Sequence, residues 1–237
     1  MLNNFRNVSG TDKIWRSATI YKRNLTDDEK ATLDSLGLDR IFDLRCRMEA
    51  FEKPDYIPEG TEYTRLNTIN AQKYRYVLTD LRSRILAGHL VGRFEYKLKK
   101  NKIDSYPAIA FSPVWEEVFN AMDRGEKFLF HCTEGKDRTG FCACIIEHCL
   151  GISDDEIMEN YMKSNELRPP KNRQKLRKMG FAQQLIDDIK YAESTHEELL
   201  LHALDAVNEE YGSLDNMLKE KFNVTEERKE NWKKLYE

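Results

Sequence analysis

The stretch Lys-Phe-Leu-Phe-His-Cys-Thr-Glu-Gly-Lys-Asp-Arg-Thr-Gly-Phe, residues 127–141, constrains this chain more than any other. Its near-continuous apolar start reads as a central strand buried on both faces, where no alternation is expected. The residues from Thr139 to Leu150 read as a helix stopped by Gly151. A strand joined to a helix by so short a loop belongs to an α/β layer architecture with a mainly parallel sheet. The N–H groups of such a loop can converge on one centre, and the positive end of the helix reinforces them, so the segment is built to hold an anion.

The remaining chain supplies matching elements. Capping boxes at Thr26–Glu29 and Ser153–Glu156 open two helices, the first running to Gly37 and the second ending before Pro169-Pro170. Ser112-Pro113 reads as an N-cap and first helical residue, followed by the apolar stripe Trp115, Val118, Phe119 and Met122. Thr195–Glu198 opens another helix that ends at Gly212, within a strandless tail over 181–237 expected to cap the same domain. Strands are expected over Lys13–Ala18, Arg40–Leu44, Tyr63–Leu66 and Lys127–Phe130. One domain spanning 1–237 is the expected organisation.

Charge excludes some functions and suggests others. A net charge of −3 argues against a dedicated nucleic-acid binder. No run approaches the length of a membrane span, and the N-terminus has no stretch resembling a signal peptide. Five cysteines, three of them crowded in one apolar segment, do not make a disulfide framework and point to a cytoplasmic compartment. The segment 70–102 holds nine Lys/Arg against two acids, with Tyr74, Tyr76, Phe94 and Tyr96 among them. That makes 70–110 a candidate basic helical lid over an anion site, with a solvated insertion as the plainer reading.

Within the loop, Cys132-Thr-Glu-Gly-Lys-Asp-Arg138-Thr139, each residue type has a chemical use. The field that binds an anion also favours the Cys132 thiolate, the nucleophilic form. Arg138 offers a planar fork for two phosphate oxygens, and Gly135 allows a backbone turn that other residues resist. Thr139 is placed to hydrogen-bond the sulfur. Together with Thr133, Glu134, Lys136 and Asp137, these residues form the expected phosphate-binding loop. They specify a thiolate attacking phosphorus, a cysteinyl-phosphate intermediate and its hydrolysis. A buried core cysteine is the competing reading of Cys132 alone, but the flanking strand, glycine, arginine and helix weigh against it.

The run "HCTEGKDRTG" resembles the His-Cys-x5-Arg-Ser/Thr loop of the protein tyrosine phosphatase superfamily, and within it a bacterial tyrosine and dual-specificity (lipid) phosphatase branch. "NFRNV" at 4–8, "IWRSA" at 14–18, "LGLDRIFDLRCRME" at 36–49 and "EEYGSLDNML" near the end are similar to further motifs of that branch. The resemblance is weak across 70–110 and 170–195. It implies a phosphatase-like α/β fold and a phosphomonoesterase that needs no metal or organic cofactor. It also implies a phosphorylated protein or phosphoinositide as substrate, with no nucleic acid and no stable membrane insertion.

The acid that protonates the leaving oxygen is implied by the same resemblance to be Asp137, with loop orientation as its plainer role. Asp43, in Asp-Leu-Arg, is the alternative, weighed evenly against an ion pair with Arg45 or Arg16; Asp80 and Asp104 are further candidates. Lys136 stands where lipid phosphatases carry lysine, so it is expected to meet a second phosphate or the inositol ring, while Glu134 disfavours the most highly phosphorylated head groups. A phosphate- or phosphoinositide-binding module without turnover is the alternative function. His196 and His202 in "HEELLLH" are six apart and do not share a helix face as zinc ligands would.

Overall fold

Residues 2–68, 95–167 and 183–237 are described by a computed structural model. Five strands, β1 (Arg6–Asn7), β2 (Ile14–Ser17), β3 (Arg40–Asp43), β4 (Glu62–Arg65) and β5 (Phe128–His131), form one sheet in the order β1-β2-β5-β3-β4. All pairs are parallel except the edge pair β1–β2. The four expected strands are present, each trimmed by a residue or two or shifted by one. The two-residue β1 is too short to leave a pattern. Every β5 residue is buried, which explains its uninterrupted apolar run.

Among the described residues the helices are α1 (Asp27–Ser35), α2 (Arg47–Glu52), α3 (Glu95–Ala110), α4 (Trp115–Asp123), α5 (Asp137–Cys149), α6 (Asp154–Met162), α7 (Gln183–Glu193), α8 (Glu197–Tyr211), α9 (Leu214–Phe222) and α10 (Glu226–Tyr236). Both capping boxes form as expected: Thr26 and Ser153 accept from the N3 amides, and Glu29 and Glu156 reach back to the cap amides. Ser112-Pro113 does not open α4, which starts two residues later after a turn and lacks a side-chain cap. Thr195 likewise leaves the cap position of α8 to His196.

The main core contains Phe128 and Phe130 of β5, Phe141 and Ile145 of α5, and Trp115 and Phe119 of α4. Leu199, Leu200, Met217 and Trp232 of the C-terminal helices join the same cluster. A smaller cluster of Leu33, Ile41 and Leu129 lies under α1 on the other face of the sheet.

The expected basic lid over 70–110 lies only partly within the described residues. Positions 69–94, including Asp80 and most of the basic excess, lie outside the described residues. From Glu95 onward the chain is α3, and Tyr106, Ile109 and Ala110 sit in the core. Lys102 is buried at 4% exposure, so this end of the stretch is core structure rather than a solvated insertion. Asp104 lies on the exposed side of α3.

Candidate active site

The register aligns the carboxyl ends of three parallel strands: Ser17 of β2 and Asp43 of β3 both pair with His131 of β5. Loops leaving this edge therefore start level with one another, where α/β sheets bind ligands. The loop 132–136 runs from there into α5, which begins at Asp137, two residues earlier than expected.

The loop's carbonyls are tied outward. Thr133 O accepts from Thr19 N at 3.3 Å, Glu134 O from Asn4 Nδ2 at 3.2 Å, and Gly135 O from Asn4 Nδ2 at 2.7 Å and Arg16 Nη2 at 3.2 Å. A planar trans peptide points its N–H opposite its C=O. Turning these three carbonyls outward turns the amides of Glu134, Gly135 and Lys136 inward, and with the start of α5 they form an anion cradle. Gly135 has φ +67°, and a Cβ there would lie 2.5 Å from Ser17 O. A Cβ on Gly140 would meet the Tyr161 ring at 2.7 Å, so this glycine lets α6 pack against the start of α5. Asn4 and Arg16 lay within the sequence motifs, but their partners are more than a hundred residues away.

Cys132 is 2% exposed at the base of the loop. Burial pushes its thiol up, but the Arg138 guanidinium and hydrogen bonds from the Thr139 side chain and amide outweigh that, so its pKa lies below the usual thiol value. The Thr139 hydroxyl is buried without a partner of ordinary hydrogen-bond geometry, and its influence on Cys132 is to lower the thiol pKa.

Arg138 is held by Glu49, the last residue of the motif at 36–49, to which the sequence assigned no role. Its Nη1 and Nη2 donate to Glu49 Oε2 at 2.8 Å and Oε1 at 2.9 Å, a bidentate pair from the six-residue α2. Thr133 Oγ1 donates to Glu49 Oε1 at 2.5 Å, and Cys46 N to Oε2 at 3.0 Å. Burial raises the Glu49 pKa, but the Arg138 charge and these hydrogen bonds take it down to about 2.

Asp43 is held by three side-chain hydrogen bonds. Its Oδ1 accepts from Arg45 Nε and its Oδ2 from Arg45 Nη2, both at 2.8 Å, and Tyr63 OH donates to Oδ2 at 2.6 Å. The side chain is fully buried. Burial raises its pKa, while His131, Arg45 and Tyr63 drive it well below the usual carboxylate range. The ion-pair reading with Arg45 is therefore the one its surroundings favour. Arg45 also reaches Asp55, and His131 Nε2 lies 3.3 Å from Asp55 Oδ2 but off the line of a hydrogen bond. Asp43, Asp55 and His131 bring donor atoms within 4.8 Å of one another, yet the Arg45 guanidinium already occupies the carboxylates. Burial lowers the His131 pKa, but these two acids outweigh it and raise it.

Asp137 opens the first turn of α5 with its side chain 27% exposed, between lysines only 4–5% exposed. Lys136 Nζ is 3.2 Å from Oδ2 and Lys102 Nζ 3.5 Å from Oδ1, while Tyr106 OH donates to Oδ1 at 2.5 Å. Burial raises the Asp137 pKa, but Lys102 and then Lys136 pull it far below the usual range, so the free enzyme holds a carboxylate there. Lys136 has a second polar contact besides Asp137. Its Nζ donates to Ala192 O at 2.7 Å, so its charge is turned to the end of α7. Lys102, Tyr106 and Tyr161 were not anticipated, because α3 read as an insertion and its partners are distant in sequence.

A parallel sheet with a strand–loop–helix anion cradle holding a cysteine and an arginine defines the class of protein tyrosine phosphatase superfamily phosphatases. The chain belongs to the tyrosine phosphatase family, whose model matches residues 2–237. It is 35% identical over 222 residues to a provisionally named tyrosine-protein phosphatase of Cupriavidus necator, covering 90% of this chain and 75% of that one. It is 25% identical over 187 residues to the triple specificity protein phosphatase PtpB of Mycobacterium tuberculosis, covering 70% and 68%. The core catalytic domain of the S. cerevisiae PP-IP phosphatase SIW14 aligns over 80% of this chain and 92% of its own, with 18% identity and a TM-score of 0.37. The protein is accordingly a phosphatase, a hydrolase acting on a phosphorylated substrate, rather than a binding module. Among the described residues, no helix is long and apolar enough to cross a membrane.

Proposed function

We propose that the chain acts as one domain that hydrolyses phosphomonoesters through a cysteinyl-phosphate, with phosphotyrosine and lightly phosphorylated phosphoinositides as substrates. The observation that carries this reading is the Cys132 thiol, its pKa lowered beside Arg138 at the base of the amide cradle. Sulfur attacks phosphorus as the bond to the leaving oxygen breaks. Arg138, oriented by Glu49, spans two phosphoryl oxygens, and the inward amides take up the developing charge. Asp137 supplies the proton to the leaving oxygen and later accepts one from the attacking water. Asp43 anchors Arg45 and the strand end rather than transferring protons.

The wider substrate range draws support from two features: the loop lysine at 136, and the name of the triple specificity relative. Glu134 places a negative charge in the loop, which weighs against highly phosphorylated head groups. The test is Cys132→Ser, assayed on a phosphotyrosine peptide and a phosphatidylinositol monophosphate. Serine does not ionise near neutral pH, so turnover is lost on both while inorganic phosphate still binds. Substantial activity in Cys132→Ser, without alkylation sensitivity in the wild type, rules out the covalent route.

A further inference from the structure

The cluster behind Asp137 is buried, charged and not explained by substrate binding. Lys102 Nζ donates to Ser194 O at 2.7 Å and Ala192 O at 3.1 Å, and lies 3.5 Å from Asp137 Oδ1 as an ion pair, which leaves its third proton on the side of that carboxylate. Tyr106, one helical turn further along α3, donates to the same Oδ1, and its hydroxyl meets that of Tyr161 at 2.8 Å. The ionisable groups facing Lys102 among the described residues are Asp137, Lys136, Tyr106, Tyr191 (ring centroid 5.8 Å from Nζ) and His196. Two ammonium groups thus share one carboxylate in a site almost closed to water, and only Asp137 opens outward.

An acid that must donate a proton is therefore ionised at rest, and its proton comes either from solvent at its exposed edge or from a buried neighbour. We propose that Lys102 and Asp137 are a proton-sharing pair, in which Lys102 stores the proton that Asp137 delivers to the leaving oxygen. This rests on the reading of Asp137 as the acid. Burial and then the Lys136 charge depress the Lys102 pKa well below the ordinary lysine value, against the opposing pull of Asp137. When the phosphoryl group arrives, its negative charge raises the proton affinity of Asp137. The proton passes from Lys102 Nζ to Asp137, leaving a neutral amine beside a neutral carboxyl. As the S–P bond forms and the P–O bond breaks, Asp137 gives that proton to the leaving oxygen and becomes a carboxylate. In the second half, water attacks phosphorus, the S–P bond breaks, Asp137 takes the water's proton, and that proton returns to Lys102. Lys102 touches no substrate and is a positioning residue.

The test compares pH profiles of kcat/KM for phenyl phosphate, whose leaving group needs a proton, and para-nitrophenyl phosphate, which needs little. If Lys102 only depressed Asp137 electrostatically, removing it would raise the acid's pKa and move the basic limb up. As a proton store, its removal leaves Asp137 to fill directly from solvent, so in Lys102→Met the basic limb for phenyl phosphate moves down by more than about one pH unit. Lys102→Arg keeps the charge but cannot release a proton. It should lose roughly 10²-fold on phenyl phosphate at neutral pH and far less on para-nitrophenyl phosphate. A limb that stays or moves up in Lys102→Met overturns the proposal, whether or not the arginine variant folds. Asp137→Asn, run in parallel, separates the two readings. Equal losses on both esters in that variant remove Asp137 as the acid and the pair with it. A leaving-group-dependent loss there, without the shift in Lys102→Met, removes only Lys102.

Discussion

The Glu49 carboxylate accepts from both terminal nitrogens of Arg138, at 2.8 and 2.9 Å, across 89 residues of sequence. The same carboxylate holds the Thr133 hydroxyl, so one acid fixes both ends of the loop. A guanidinium gripped on one edge has a fixed plane, and its other contacts, Nη1 to Leu44 O and Nη2 to Thr133 Oγ1, are longer at 3.3 Å.

Glu49→Gln keeps the shape and removes the charge. Arg138 then loses its bidentate partner, and kcat/KM on para-nitrophenyl phosphate should fall roughly 10²-fold, as for loss of one preorganised transition-state donor. Arg138→Lys should fall at least as far. A glutamine variant with near-wild-type turnover would show that the loop alone orients the arginine.

The same pair makes the fold acid-sensitive in a predictable direction. Glu49 has a folded pKa of about 2 against an ordinary value of 4.5. A depressed carboxylate contributes stability that is full above its unfolded pKa and lost as pH falls through the folded one. Between pH 4.5 and 2 the wild-type melting temperature should therefore fall more steeply than that of Glu49→Gln. Parallel melting curves across that window would place the stabilisation elsewhere.

Gly135→Ala forces a methyl group to within 2.5 Å of Ser17 O at a left-handed backbone position. The loop must shift, at a cost on the order of 1–3 kcal/mol, and its inward amides shift with it. Phosphate should no longer protect Cys132 from alkylation, although the core packing of β5 is untouched. Retained protection would mean that the amides of 134–136 do not hold the anion.

The sequence was legible where chemistry is local and opaque where it is not. Thr26, Ser153 and the apolar run of β5 carry their signals within a few residues, and their elements formed as expected. Cys132, Arg138 and Thr139 sit in one loop whose spacing states its use. Glu49, Asn4 and Lys102 act on that loop from other elements, with nothing beside them to mark the partner. Asp43 left two readings open in the sequence, acid and ion pair. Its neighbour Arg45 was visible two residues away, but only the bidentate contact and full burial favour the ion pair over the acid.

The proposed substrate range can be tested at Lys136. Its ammonium is 3% exposed as a residue and donates to the Ala192 carbonyl, so meeting a second anion requires it to leave that acceptor. A charged phosphate oxygen is roughly twice as strong an acceptor as a neutral carbonyl, so a phosphoinositide can draw the lysine over while a phosphotyrosine peptide has no second phosphate to offer. Loss of Lys136 also changes the field on Asp137, which weighs more on an inositol leaving group than on a tyrosine phenol, so an alkyl phosphomonoester with no second phosphate is assayed as the control. Lys136→Ala should therefore reduce phosphatidylinositol monophosphate turnover several-fold more than phosphotyrosine turnover. The ratio should shrink as salt rises, since charges are screened over about 8–10 Å near physiological ionic strength. An equal loss on both substrates would make Lys136 a clamp between the loop and α7, and phosphotyrosine would then be the substrate class that the site selects.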